Sequence, residues 1–358
     1  MLLNSIQYYP TSLIDYDDSA QLLLKFQSTT VFSMLKNCVF FIAIIVISCD
    51  VCSRDSKGTF SFALENDLIG SGSDKHYTHG TEFSYVSDTF VPDWLKTTAN
   101  VFPFHESNDD TRYSWSLGQK IFTPSDLETT ELIEDDRPYA GWLNLSLGLV
   151  TEDIQEKYRH VDSIEFIIGV VGPKSLAENA QKSIHRNTGS TLPQGWDNQL
   201  DDEFTLDLRY RRSWIIPIRA NRFDFLPSVG FTAGSSQRLL NFGGTLRVGS
   251  GLFSDFGPPL IRPSASGAYY FKPDQPFYWY FFIGVHGRFV DYNIFLDGNI
   301  DNNSHSVERL HWVGDIQTGL ILGAGRWRLS FTNIFRTKEF EKQENPDDFG
   351  SIVLSYRI

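Results

Sequence analysis

Polar and apolar positions alternate through most of the chain. In Phe60-Ser61-Phe62-Ala63-Leu64-Glu65-Asn66-Asp67, the apolar Phe60, Phe62 and Leu64 fall on one side of an extended strand and Ser61, Ala63, Glu65 and Asp67 on the other. Successive side chains of a strand point to opposite faces, so one face is greasy and one is small and polar. After a short Gly/Ser stretch the pattern resumes in Tyr77-Thr78-His79-Gly80-Thr81-Glu82-Phe83-Ser84-Tyr85, with Thr78, Gly80, Glu82 and Ser84 as a second polar face. As a hairpin, these two strands bring Asp67 and Thr78 together at one rim of a sheet.

The same alternation returns many times. Tyr113, Trp115, Leu117 and Ile121 oppose Ser114, Ser116, Gly118 and Lys120, and Leu143, Leu145, Leu147 and Leu149 alternate with Asn144, Ser146 and Gly148. Further strand candidates cover 161–171, 204–215, 224–234, 240–252, 264–271, 277–290, 308–322, 326–336 and 350–358. The clearest sets Phe204, Leu206, Leu208 and Tyr210 against Thr205, Asp207, Arg209 and Arg211. Charges at alternate positions are costly in lipid and suit a wet interior, which predicts an all-β, transmembrane antiparallel β-barrel. About thirteen candidates are present, and single-chain bacterial barrels have even numbers, so about twelve strands are expected. If the first strand runs outward, the loops at 68–76, 123–137 and 172–202 share the outer rim.

Composition supports a barrel over a helical membrane protein. Aromatics make up 15% of the 358 residues, whereas the longest apolar run, 38–47, is too short for a spanning helix. That run follows Met34-Leu35-Lys36-Asn37 and precedes Ser48-Cys49, which gives 34–56 the form of a secretory signal region. Residues 1–33 carry Asp15, Asp17 and Asp18 against only Lys25, so they read as a non-native extension ahead of a true start at Met34, the alternative being a cytosolic arm. A lipoprotein cleavage site at Val46-Ile47-Ser48-Cys49 fits only loosely. Residues 57–358 form the barrel body. All three cysteines, Cys38, Cys49 and Cys52, precede it, which leaves the body without a disulfide or thiol metal site. The net charge of −13 argues against nucleic acid as a partner; at an anionic lipid surface it favours bound divalent cations, although acidity is ordinarily solvation.

The 172–202 loop is long for a hairpin connection. Ser175 and Glu178 have capping-box spacing, and Leu176, Ala180 and Ile184 form a one-sided apolar stripe, which predicts a short helix ending beside His185. A lone loop histidine is ordinarily a surface residue; His185 stands out because its loop shares a rim with Asp67 and Thr78. Arg137-Pro138-Tyr139 reads as a loop-to-strand turn with an interfacial aromatic, Trp196 as an anchor, and 302–306, including His305, as a flexible loop. No Gly-x-Ser-x-Gly or His-Glu-x-x-His motif occurs.

Glu65-Asn66-Asp67, Tyr77-Thr78-His79-Gly80, Asp136-Arg137-Pro138-Tyr139-Ala140-Gly141-Trp142, Gly172-Pro173 leading to His185, and Gly195-Trp196-Asp197-Asn198-Gln199-Leu200 together resemble the LpxR family of outer-membrane lipid A deacylases. The resemblance spans roughly 58–358. It implies a twelve-stranded barrel, lipid A of lipopolysaccharide as substrate, outer-membrane lipids as surroundings, and calcium-dependent removal of the 3′-linked acyloxyacyl chain. It puts Asn66, Asp67, Thr78 and His185 on the family's active-site positions. His185 then serves as general base toward water, and a Ca2+ near Asp67 polarises the ester carbonyl. Asn66 either donates to the oxyanion or supplies a ligand oxygen, and Thr78 orients the water or the metal. Two departures stand out: the loop at 124–130 lacks the family's lysine, and 187–193 lacks its glutamate and tyrosine. The alternatives are an outer-membrane phospholipase with a serine nucleophile, for which no Ser/His pair stands out, and a non-enzymatic porin or structural barrel. Oligomeric state is open on sequence grounds.

Overall fold

The structure, a computed structural model, describes residues 58–67, 76–88, 91–154, 158–259, 269–272 and 275–358. The N-terminal extension, the signal region and the three cysteines lie outside them. Twelve strands form one closed antiparallel barrel: β1 (Gly58–Asn66), β2 (His76–Ser87), β3 (Thr111–Thr123), β4 (Ala140–Ile154), β5 (Arg159–Val171), β6 (Glu203–Arg219), β7 (Phe223–Gly234), β8 (Gln237–Ser250), β9 (Phe277–Asn293), β10 (Trp312–Ala324), β11 (Trp327–Arg336) and β12 (Asp347–Arg357). Each pairs with its neighbours in sequence, and β1 closes the wall against β12 from Thr59↔Arg357 to Asn66↔Gly350. Closure removes sheet edges, as a bilayer requires of any strand-built span.

The thirteenth candidate, 264–271, is not in the wall. Its described residues Tyr269, Tyr270 and Phe271 are buried, and Phe271 bridges Asp255 within the connection from β8 to β9. Tyr270 packs with Phe256, Val86, Val150, Val161, Ile215 and Leu226 and fills the lumen at the rim where Gly58 and Ile358 lie. At the opposite rim Tyr77, Phe122, Trp142, Phe295 and Phe349 make a second apolar plug. Between the plugs the inward face is polar, as the alternation predicts: Ser116 meets Ser146 at 2.7 Å, Arg209 pairs with Glu165 at 3.1 Å, and Arg247 pairs with Asp224 and Asp255 at 2.6 Å. Such a filled interior is a core rather than a porin's aqueous channel.

The outer wall is apolar, with Leu145, Ile168, Phe204 and Leu206 exposed. Two connections leave the rims and lie against that wall. One joins β2 to β3 and carries a helix, Asp93–Ala99, whose Leu95 and Ala99 pack on Leu149, Ile164 and Tyr210. Its Phe102 reaches Phe166 at 5.9 Å and its Phe104 reaches Tyr210 at 4.4 Å, so it forms a strap across several strands. The other is the 172–202 loop, at the opposite rim.

Candidate active site

The site begins where β1 and β2 end. Tyr77 lies opposite Phe122 and His79 opposite Ile121, leaving Thr78 as the extra residue of a β-bulge. The bulge resets the alternation. Tyr77 turns inward, its ring tilted 5.4 Å from Phe122 and edge-on 5.2 Å from Phe349, and its hydroxyl donates to Glu65. The Thr78 hydroxyl instead meets that of Thr123 at 2.7 Å, on the row of β3 that continues through Ile121 and Gln119. Thr78 therefore leaves the lumenal row of Gly80, Glu82 and Ser84 on which the period-two pattern placed it. Asn66 stands opposite His79 and donates its amide to the Thr78 carbonyl at 2.7 Å, which ties the two strand ends together. Asp67 is buried and lies just beyond the end of β1.

The loop supplies the other wall of the site. After Gly172, at φ 95°, Pro173–Ser175 make one 3₁₀ turn, Leu176 is left-handed at φ 61°, and the loop helix runs Ala177–Thr188 to Gly189 at φ 75°. The expected capping box does not form: Leu176 is the N-cap, and the Ser175 hydroxyl accepts from the Ala177 N–H at 3.4 Å instead of from Glu178. Gln119 of β3 donates to the Ser175 carbonyl at 2.7 Å. Gly141 is needed on β4, since a Cβ there would collide with Ser175 and Ala177. Ile121, Leu127, Tyr139, Ala177 and Trp196 form the apolar seam that holds the helix to the wall. Tyr139 and Trp196 are thus buried fasteners rather than interfacial anchors, and Arg137, also buried, lies 5.0 Å over Phe122 and 3.5 Å from Glu339. His305 donates to the Asp136 carbonyl at 2.8 Å.

The loop helix is inside out. Of its predicted apolar stripe, Leu176 (56%) and Ile184 (39%) are exposed and only Ala180 packs on the seam, while the buried face carries Ala177, Gln181 and His185. A helix lying on a lipid-facing wall has apolar surroundings on its outer side, so the water-based reading of amphipathicity reverses.

His185 is 5% exposed, and its Nδ1 lies 2.5 Å from the Thr191 carbonyl. A carbonyl only accepts, so Nδ1 is the donor in this contact and carries a proton. The electrostatic environment of His79 includes both Glu65 and His185, which brings the helix near the ends of β1 and β2. Gln181, one turn before His185 on the same face, went unnoticed in the sequence although its i−4 spacing was visible. Its Oε1 accepts from Trp196 Nε1 at 2.8 Å, and its Nε2 is buried without a hydrogen bond among the described residues. Thr123 was likewise missed.

Asp67 and the amide oxygen of Asn66 are hard oxygen donors, the type calcium takes. Among the described residues no three His, Cys, Asp or Glu side chains gather as a metal cluster, so a cation here needs amide or carbonyl oxygens as well. The basic residue nearest the lysine-free 124–130 loop on β3, Lys120, lies over the Tyr77 ring at 5.6 Å on the lumenal side. On the loop helix Lys182 pairs with Glu178 at 2.6 Å, and Arg186 is exposed.

The family model described as outer membrane protein LpxR matches residues 38–358. Among solved structures, LpxR from Salmonella typhimurium superposes with a TM-score of 0.69 at 19% identity, over 83% of this chain and 99% of that one. The β domain of the Bordetella autotransporter BrkA aligns with a TM-score of 0.44 at 9% identity, over 85% of this chain and 100% of that one. No curated protein matches the chain.

Proposed function

The chain belongs to the LpxR family of outer-membrane lipid A deacylases, and on that premise we propose that it hydrolyses the ester of the 3′ acyloxyacyl chain of lipid A. The observation that supports this reading is the placement of His185, buried on the same face of the loop helix as Ala177, which packs on Ile121 and Tyr139 of the wall. Nε2 of His185 takes a proton from water as the oxygen adds to the ester carbonyl, and Nδ1 stays fixed on Thr191. The resulting Nε2–H then returns its proton to the departing 3′ oxygen, which leaves a fatty acid and a free hydroxyl. Asn66, Asp67 and Thr78 form the opposite side of the site. A Ca2+ held by Asp67 and the oxygen of Asn66 would stabilise the oxyanion. The Asn66 Nδ2 is engaged by the Thr78 carbonyl, so a role in binding a cation would fall to its oxygen. Lys182 and Arg186 are cations on the loop helix that can meet a lipid A phosphate, in place of the lysine missing from 124–130.

The two plugs of the lumen favour this reading over a porin. The test is mass spectrometry of lipid A from cells making the protein or its His185→Ala variant, with calcium or with a chelator. Loss of one ester-linked chain only with His185 and calcium is the expected result. Unchanged lipid A from a folded, outer-membrane barrel would refute it.

A further inference from the structure

Guanidiniums that point into this lumen are met by carboxylates. Arg209 pairs with Glu165 at 3.1 Å, and Arg288 and Arg336 share Asp315 at 3.0 and 2.9 Å. Arg211 is the next inward residue of β6 after Thr205, Asp207 and Arg209, and it departs from that rule. Its bonds among the described residues go to two hydroxyls, from Nε to Ser213 at 3.2 Å and from Nη2 to Ser228 at 2.6 Å. A guanidinium withdrawn from bulk water is costly unless an anion stands beside it.

Its surroundings are built from donors. Ser213, Ser228, Gly243 and His286 stand in register on one rung across β6, β7, β8 and β9. Both serine hydroxyls accept from Arg211, so each keeps a proton to give, and Arg211 Nη1 makes no bond among the described residues. Gly243 admits the His286 ring, because a Cβ there would fall 2.3 Å from its Nδ1. The carboxylate on the following strand of that rung, Asp315, already accepts from Arg288 and Arg336 on its two oxygens. Arg211, Ser213, Gly243 and His286 are each only half-buried although they line the inside of a closed wall, so space remains beside them. The next inward residues below, Ile215 and Leu226, belong to the apolar plug.

We propose that this rung binds a small inorganic anion inside the lumen, held by Arg211 Nη1 and by the hydroxyl protons of Ser213 and Ser228, with the His286 ring closing one side. Chloride and phosphate both accept such bonds. The apolar plugs at the two ends of the lumen favour an anion of that size over a lipid headgroup tethered to its chains. The anion neutralises the one charge that the wall leaves without a carboxylate on this rung.

Thermal unfolding of the full barrel tests this, after refolding into a non-ionic detergent in sodium gluconate, sodium chloride or sodium phosphate at equal ionic strength. An anion bound by the folded barrel alone raises the unfolding midpoint with its concentration. Chloride or phosphate should therefore raise the midpoint above that in gluconate, and the larger rise identifies the preferred anion. Arg211→Gln should remove the difference between the salts. Ser228→Ala, which deletes only a hydroxyl, should need roughly fivefold more anion for the same rise, the effect of one lost hydrogen bond. Heat-modifiable migration on a gel checks that each variant is folded. Equal midpoints in the three salts would overturn the assignment, as would an unreduced rise in Arg211→Gln or, should that variant not fold, in Ser228→Ala.

Discussion

The two covers on the outer wall are built on opposite plans. At the rim where Gly58 and Ile358 lie, the strap buries Leu95 and Ala99 and half-buries Phe102 and Phe104 on apolar wall residues, which gain from leaving water or lipid headgroups. At the other rim, the loop helix buries Gln181 and His185 and exposes Leu176 and Ile184. Burying an amide and an imidazole stabilises nothing unless their hydrogen bonds are remade, and Gln181 Nε2 lacks a protein partner among the described residues. A cover that accepts that cost is organised around chemistry; the strap is organised around packing.

The sharpest way to break this contrast is His185→Ala. Removing a general base typically costs two to four decades in rate, and we expect lipid A deacylation to fall about a thousandfold with the thermal unfolding temperature unchanged. A variant that unfolds earlier but still turns over lipid A would make the upper cover a packing device like the lower one. Phe104→Ala is the mirror experiment. Loss of an aromatic ring tilted against Tyr210 and edge-on to Phe231 should destabilise the barrel by about 2 to 3 kcal/mol in denaturant titration while leaving deacylation within about twofold. A large fall in turnover would couple the strap to the site and erase the distinction.

Thr78→Val is a finer probe. It keeps the bulge residue's shape and removes only the hydroxyl bonded to Thr123, so deacylation should drop roughly tenfold, about 1.4 kcal/mol, with unfolding little changed. An unaltered rate would reduce Thr78 to a structural bulge residue.

The smallest effect concerns the connection from β11 to β12. Burial pushes the Glu339 carboxyl up, but Arg336, Arg137 and Arg288 outweigh it and hold the group below its ordinary value. Its stabilisation is therefore complete above the unfolded-state value, about 4.3, and is lost as pH falls through the lower folded-state value. Hydrogen exchange of 337–346 should quicken over that acid range in the parent and show no such step in Glu339→Gln. A step that survives the substitution would assign the acid response to another group.

The barrel was legible because its cause is local. Lipid outside and a polar core inside impose a period of two on each strand, and Thr205, Asp207, Arg209 and Arg211 against Phe204, Leu206 and Leu208 display it without reference to anything distant. The motifs around Asn66, Thr78 and His185 were likewise visible one by one. What the pattern misplaced was orientation. Period two put Thr78 among lumenal residues, yet one extra residue between Tyr77 and His79 turned it to the β3 row of Thr123. Capping-box spacing and an apolar stripe suited a helix in water, and the helix formed one residue later, with Gln181 and His185 on its buried face.

Sequence by itself therefore determined the twelve-stranded wall, the rim on which the candidate residues gather, and the presence of a helix near His185. Tertiary structure decided that the candidate residue His185 is buried on the face of the loop helix that packs on the wall, and that 269–271 fill the lumen instead of joining the wall. The physical reason is range: alternation is fixed by each residue's own neighbours and solvent. The bulge register and the seam of Ile121, Leu127, Tyr139, Ala177 and Trp196 arise from contacts between segments far apart in the chain, which no local period encodes.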